Sequence, residues 1–475
     1  MSEFQVVIGL EVHLQLFTNT KAFCGCSTAF GKVPNSQTCP VCLGLPGSLP
    51  VLNKKVLEYA IKVALALSCQ VNEFVKFDRK NYYYPDLPKN YQISQFDLPL
   101  ANQGFLDIEI KDTVKRIRIR RVHLEEDAGK LIHDENKDFS LVDYNRSGIP
   151  LLEIVSEPDI NSTQEAYEYL TNLKLILKYL DVSDCDMEKG SLRCDANISL
   201  RKFGEKQLGV KAELKNMNSF KAVKQALQFE LERQSHLLTN NQTIIQETRL
   251  WDAHNQVTVA MRTKEESQDY RYFPEPDLVP FIISKEEIEK IRNSLPESAK
   301  QRFLRFIKVY GLSEYDANLL IQDKDLSLYF EECLKLFSQP KRICNWITTS
   351  LLSELNSRKL QIRELNLSPD DLVELIKFVD QGRISNLVAK EVLTQMLDNR
   401  KKASTIIQEK NLAQLSDVKE LESFCEEVIK ENPKSIQDFK SGKENALMFL
   451  VGCVMRKSQG KANPKIAAEI LKRRL

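Results

Sequence analysis

The apolar residues of this chain change their spacing once, and the change divides the fold. Through residue 290 they alternate as in strands, with amphipathic helices between. In Gly9 to Leu16, Leu10, Val12, Leu14 and Leu16 face one way and Glu11, His13 and Gln15 the other. Ser191 to Leu200 sets Cys194, Ala196, Ile198 and Leu200 against Arg193, Asp195, Asn197 and Ser199. Val210 to Lys215 sets Val210, Ala212 and Leu214 against Lys211, Glu213 and Lys215. Helices are expected around Ala166 to Leu180 and Ser219 to Leu238. The short connections predict an α+β domain on a mainly antiparallel sheet. Beyond Glu275 to Pro280 only helical spacing remains. Ser368-Pro369-Asp370-Asp371 opens a helix with an N-cap, a first-turn proline and first-turn acids, and another helix is expected from Asn386 to Leu397. The expected division is 1–290, a helical domain 291–405 and a helical tail 406–475.

At 475 residues the chain is too long for one core. Its formal net charge is +1, so any nucleic-acid surface has to come from local segregation of charge. The tail supplies one: Lys443, Arg456, Lys457, Lys461, Lys465, Lys472, Arg473 and Arg474 stand against Glu444 and Glu469. Taken alone, such a run describes a solvated helix face as well as a grip on RNA. An acidic, alternating N-terminus and the lack of a long apolar run predict a cytoplasmic protein with no membrane span. There is no GxxxxGK[ST] phosphate loop, no GxGxxG and no Gly/Ser-rich amidase-like run, so nothing in the chain suggests release of ammonia from glutamine.

Four of the eleven cysteines are clustered: Cys24-Gly-Cys26, twelve residues, then Cys39-Pro-Val-Cys42. CxC and CxxC pairs each wrap a tetrahedral ion through a tight turn, so a structural Zn2+ held by Cys24, Cys26, Cys39 and Cys42 is expected. With all four positions filled by protein, such a site staples a loop and does no chemistry. The other seven cysteines are scattered and read as small core hydrophobes.

The three alternating strands gather Glu11, His13, Asp195, Glu213, Lys211 and Lys215 on faces opposite their apolar residues. Carboxylates suit a hard divalent cation carrying phosphate, and lysines suit the phosphate's charge. A solvated face laced with cross-strand salt bridges fits the same pattern. His123-Leu-Glu125-Glu126-Asp127 follows a basic strand, and Glu153 is a lone acid within the apolar run Ile149 to Val155, where it needs a partner, either a metal or a cation. His123, His133, His236 and His254 taken singly read as surface or core residues. Two tyrosine-rich segments, Phe77 to Gln92 and Ser267 to Pro274, have the composition of loops that stack unpaired nucleotides, and equally of packed turns.

Longer motifs narrow the choice. Val7-Ile-Gly-Leu-Glu-Val-His13, the four cysteines with Gly44-Leu-Pro-Gly47, Arg79 to Ser94, His123 to Gly129 and Asp143-Tyr-Asn-Arg-Ser-Gly-Ile-Pro150 occur in this order. Ser191 to Asn197, Glu213 to Ser219 and Arg262-Thr-Lys-Glu265 follow. Together they resemble the B subunits of the bacterial-type aspartyl/glutamyl-tRNA amidotransferases along the whole chain, with a C-terminal region similar to the YqeY family. The resemblance implies a cradle-shaped sheet domain, a helical domain and a YqeY-like tail that grips tRNA. It implies a heterotrimer in which the A subunit is an amidase and the C subunit is small. The implied reaction is ATP-dependent phosphorylation of the side-chain carboxylate of Glu-tRNA(Gln) or Asp-tRNA(Asn), followed by amidation with ammonia from the amidase. It further implies that Glu11, His13, Glu126, Asp195 and Glu213 form a catalytic Mg2+ constellation, with Glu125 and Glu153 as weaker members. Lys80 and Lys89, with Lys211 and Lys215, are the candidates for contacting ATP or the aminoacyl end. The alternative is a non-catalytic tRNA-binding adaptor of the same complex.

Overall fold

The structure, a computed structural model, describes residues 4–111, 113–133, 138–261, 270–410, 412, 418–440, 445–458 and 462–475. The Arg262 to Glu265 motif, Ser267 to Asp269, Lys443, Glu444 and Lys461 lie outside them, as does the side chain of Lys465. The chain divides into two compact units, Met1–Ser298 and Ala299–Leu475.

The N-terminal unit is built from strands β1 (Phe4–Gln15), β2 (Gln70–Val71), β3 (Asp78–Asn81), β4 (Tyr91–Ser94), β5 (Ala101–Ile110) and β6 (Thr113–Glu126). These are followed by β7 (Pro150–Ser156), β8 (Leu192–Lys202), β9 (Ala212–Lys215), β10 (Glu247–Asp252), β11 (Val257–Ala260) and β12 (Arg271–Pro274). Nine of them form one sheet in the order β11-β10-β9-β8-β1-β7-β6-β5-β2. Its apolar face packs on α1 (Lys54–Ala66), α2 (Thr163–Tyr179) and α3 (Phe220–Thr239) in one core. The helices start where sequence puts their caps: Ser162 accepts from the Glu165 amide and Ser219 from the Ala222 amide.

The sheet is antiparallel except at β9–β10, which run parallel. Their connection contains the twenty-residue α3, which carries the chain back to the end from which β9 started. A second sheet, β12-β3-β4, shows that Phe77 to Gln92 is not a loop throughout: its two ends pair as strands around a turn.

The C-terminal unit is helical. Ser368 caps Pro369–Asp380 in a reciprocal capping box with Asp371, and Asn386–Asn399 follows. The helix Ala403–Glu409 packs on both, so residue 405 falls inside an element. Leu421, Cys425, Val428, Leu450, Val454 and Leu471 then begin a separate small core. Among the described residues no helix is long and apolar enough to cross a membrane.

Candidate active site and metal centre

The polar face of the large sheet is organised by register. β1 lies between β8 and β7, with Glu11 opposite Asp195 and His13 opposite both Arg193 and Glu153. One strand further, Glu153 is opposite His123; on the other flank Asn197 is opposite Glu213. Side chains sharing a face of neighbouring strands are drawn within contact distance. His13 Nε2 lies 3.5 Å from Glu153 Oε2 and 4.0 Å from Glu125 Oε1. From the other side, His123 Nε2 lies 3.2 Å from Glu153 Oε2 and 3.7 Å from Glu125 Oε2. Next to this row, Lys215 Nζ bridges Asp195 at 3.1 Å and Glu213 at 3.2 Å, and Asn197 donates to Glu11 at 3.1 Å. Glu153, expected to need a metal or a cation, thus lies between two imidazoles.

The small sheet forms the other wall. Arg121 donates to the backbone carbonyls of Gln95 and Phe96, and Gln95 Oε1 accepts from the Leu124 amide at 2.9 Å, which ties the chain after β4 to β6. Phe96 stacks on Tyr272 with ring centroids 4.1 Å apart, and Lys80 Nζ sits 4.6 Å from the centre of the Tyr270 ring. The cavity between the walls measures about 330 Å3. Glu11, His13, Glu153, Asp195, Glu213, Lys80 and Lys215 all line it, together with His123, Arg121, Ser94, Gln95, Phe96, Tyr270 and Tyr272.

The electrostatics show what this concentration of acid does. Burial, then repulsion from Glu153 and Glu213, raises the Glu11 carboxyl above its ordinary range. Burial works against charging His13 and His123, but the neighbouring Glu153 and Glu125 outweigh it and hold both imidazoles more basic than usual. Burial likewise opposes ionisation of Glu153, and His123 and His13 override it, so this carboxyl is held well below its usual range. His13, Glu125 and Glu153 each offer one ligand atom within 4.8 Å of the others. Among the described residues, the buried Asn197 Oδ1 and His123 Nδ1 find no hydrogen-bond partner. An oxygen-dominated donor set with an excess of carboxylates fits a hard divalent cation.

Glu126, Lys89 and Lys211 do not join the cavity. Glu126 follows Val122 and Leu124 on the core side of β6, where it is buried, pairs with Lys89 and accepts from the Ile93 amide at 2.9 Å. Glu125, expected as the weaker member of the pair, is the one that points into the row. Lys211 is exposed ahead of β9. Arg121, His123 and Phe96 are functional candidates that reading single residues missed, whereas Tyr270 and Tyr272 belong to the tyrosine-rich segment Ser267 to Pro274; the signal available for His123 was its place two residues before Glu125.

The cysteine cluster assembles as its spacing predicts. Cys24, Cys26, Cys39 and Cys42 bring their sulfurs within 4.8 Å of one another, around the helical turn Pro40–Leu43. The Cys39 amide points at Cys42 Sγ at 3.2 Å. The Cys24 thiol, and then the Cys39 amide, pull the Cys42 thiol below its ordinary range, while burial pushes that of Cys26 above it. Four converging sulfurs can bind a metal such as zinc. Of the scattered cysteines, Cys69, Cys185, Cys194, Cys333, Cys344 and Cys425 are buried and Cys453 is half-buried.

In the tail, part of the basic run is neutralised within the unit. Lys457 pairs with Glu427 and Glu431, and Arg474 with Glu422 and Glu426. Arg456, Lys472 and Arg473 are exposed.

Residues 6–289 match the family model described as the GatB/GatE catalytic domain, and residues 328–475 match the one described as the GatB domain. Over its full length the chain is 54% identical to the B subunit of the aspartyl/glutamyl-tRNA(Asn/Gln) amidotransferase of Carboxydothermus hydrogenoformans, covering 99% of that protein. It is also 54% identical to the protein of the same name from Caldanaerobacter subterraneus subsp. tengcongensis, and 53% identical to that of a Thermoanaerobacter species; both alignments span 100% of this chain and 99% of the relative. Matches of this extent, with the site residues on one continuous face, leave one assignment: the chain belongs to the GatB/GatE family.

Proposed function

We propose that this chain is the B subunit of a tRNA-dependent amidotransferase. In this reading it works with an amidase partner and a small third partner, the A and C subunits of the heterotrimer. It transfers the γ-phosphoryl group of ATP to the side-chain carboxylate of Glu-tRNA(Gln), Asp-tRNA(Asn) or both. The observation that carries it is the convergence of four carboxylates, two imidazoles and the cations Lys80, Arg121 and Lys215 on one cavity, with Glu125 beside His13 and Glu153. Its about 330 Å3 suits the reacting groups of two substrates and excludes a folded RNA arm, which stays outside.

A carboxylate resists ammonia because its oxygen is a poor leaving group. Attack of that oxygen on the γ-phosphorus, with ADP departing, gives an acyl phosphate; ammonia then displaces phosphate and leaves the amide. Glu11, His13, Glu125, Glu153, Asp195 and Glu213 are the residues that would hold Mg2+. When bound, Mg2+ would neutralise phosphate charge and orient the transferring group. Lys80 and Lys215 supply fixed positive charge to the equatorial oxygens during transfer. Lys215 is held by Asp195 and Glu213, so its ammonium is oriented before substrate arrives. Tyr270, Tyr272 and Phe96 exclude water from the side opposite the sheet. Arg456, Lys472 and Arg473 are the tail cations available for tRNA phosphates.

The deciding experiment measures ATP hydrolysis and amide formation with the co-expressed partners, on Glu-tRNA(Gln) and Asp-tRNA(Asn) separately, for wild type and Asp195→Ala. Loss of phosphoryl transfer with tRNA binding and glutaminase retained is the expected outcome, and the substrate that turns over identifies the specificity. Undiminished activity in the variant would remove the catalytic reading and favour the adaptor.

A further inference from the structure

Lys21 has no exposed surface at all. Its ammonium reaches Cys42 Sγ at 3.6 Å and the Tyr144 carbonyl at 3.3 Å. Among the described residues no carboxylate pairs with it. A buried ammonium without a negative partner is strongly disfavoured, and a carbonyl dipole is not a counter-charge. Among the described residues, Cys42 of the cysteine cluster is the group in contact with it that can carry a negative charge; the Glu126 carboxylate, which also lies near Gly148, is paired with Lys89. Four thiolates around Zn2+ carry a net charge of about minus two, and that charge falls partly on the sulfur Lys21 touches.

The surroundings fix this contact. Gly148 lies against it: a Cβ there would come 3.4 Å from Lys21 Cδ and 3.5 Å from Cys42 Cβ, at a positive φ of 86°. The Lys21 amide donates to the Cys26 carbonyl at 2.9 Å, so the same residue touches both halves of the cluster. Cys42 Sγ therefore accepts from two donors, the Lys21 ammonium and the Cys39 amide. A thiolate that accepts hydrogen bonds gives up electron density, and becomes a poorer nucleophile and a more slowly protonated ligand.

We propose that Lys21 is a positioning residue of a zinc–tetrathiolate centre, offsetting the thiolate charge and shielding Cys42 from electrophiles so that the metal is retained. This rests on the reading that the four cysteines hold zinc. Tyr144, whose carbonyl takes the second hydrogen bond, donates its amide to Asn35 Oδ1 at 2.8 Å, and Gly148 donates to the Asp127 carbonyl at 2.9 Å. Lys21 thus ties the zinc loop to the segment that ends at the polar face.

The test uses the full-length chain, with Lys21→Met, close in length but uncharged, and Lys21→Arg, which keeps the charge. Zinc content is measured by plasma mass spectrometry and zinc release by transfer to a chromophoric chelator. One zinc per chain in the wild type is expected, with release from Lys21→Met about tenfold faster and Lys21→Arg near wild type, the scale of other outer-shell substitutions. Replacing zinc by Co2+ gives a readout that mere loosening would not move: the thiolate-to-cobalt band shifts to lower energy in Lys21→Met while the tetrahedral d–d bands stay. The wild type itself provides a measurement independent of variant folding. Under limiting N-ethylmaleimide, Cys42 should be the last of the four cysteines labelled. Equal release from Lys21→Met, or Cys42 labelled first, overturns the role of Lys21. Wild type without zinc overturns the metal reading on which it stands.

Discussion

Replacing Asp127 with Asn tests whether the polar face is held by charge or by packing. Asp127 is 3% exposed at the end of β6. It accepts from Gln15 Nε2 at 2.7 Å and pairs with Arg193 at 2.9 Å and Arg146 at 3.7 Å. Asn preserves the shape and removes the charge, leaving two guanidinium groups uncompensated. Breaking one partner out of a buried pair costs about 3–5 kcal/mol. Both arginine side chains keep about a third of their exposure, which lets water screen them, so the lower end, about 3 kcal/mol, applies. With a urea slope of about 3 kcal/mol per molar for a unit this large, the midpoint falls by about 1 M. The chain has two tryptophans, and Trp251 is buried in the N-terminal unit. In a Trp346→Phe background its fluorescence isolates that unit's transition. The pH dependence has a definite sign. Burial pushes the Asp127 carboxyl up, but Arg193, then Arg146, and the Gln15 hydrogen bond outweigh it, so the folded value lies below the unfolded one. Its stabilisation is therefore full above about pH 4 and lost as pH falls through the folded value, so wild type and variant converge in acid. A midpoint shift below about 0.3 M, or one equally large at pH 7 and pH 3, would refute the charge argument.

Two further outcomes follow from contacts at the edges of the site and the tail. Phe96→Ala removes the ring stacked on Tyr272, a loss of about 1 kcal/mol of local order on the wall facing the sheet. In the assembled enzyme this should raise the KM for ATP a few-fold with glutaminase rate unchanged, and an unaltered KM would remove that wall from the substrate path. Replacing Lys472 and Arg473 together with Ser should weaken tRNA binding and lower the slope of log K against log salt by about 1 to 2. Lys457→Ser, whose charge is already taken by Glu427 and Glu431, should leave the slope unchanged in the same filter-binding series.

Period and spacing made the main elements legible. Glu11 and His13 could be read as facing away from Leu10, Val12 and Leu14 because β1 has an unbroken alternation, and the structure keeps every one of those faces. The cysteine cluster was legible because metal ligation is encoded in short spacings. The wall carrying Lys80, Phe96 and Tyr272 was not, since it depends on pairing β3 with β12, about 190 residues away in sequence. Nor was the parallel β9–β10 pair, because the length of a helix does not say on which side of the sheet its chain returns.

The exchange of faces between Glu125 and Glu126 has a local cause. Along β6, Ile117 and Ile119 face the core, and a simple alternation would put Glu125 there too and Glu126 on the polar face. The pairing with β7 shifts instead: Ser156 is opposite Ile119, but Val155 is opposite Arg121, which leaves Arg120 as an extra residue. That bulge reverses the parity of everything after it, so Val122 and Leu124 take the core and Arg121, His123 and Glu125 take the site. Matched substitutions separate the two consequences. Glu125→Gln should weaken Mn2+ binding, followed by electron paramagnetic resonance, about tenfold. Glu126→Gln should leave Mn2+ binding unchanged and destabilise the N-terminal unit by about 3 kcal/mol, because Lys89 loses its buried counter-charge. If Glu126→Gln were instead the variant that loses the metal, the parity assigned to the second half of β6 would be wrong, and the composition of the site with it.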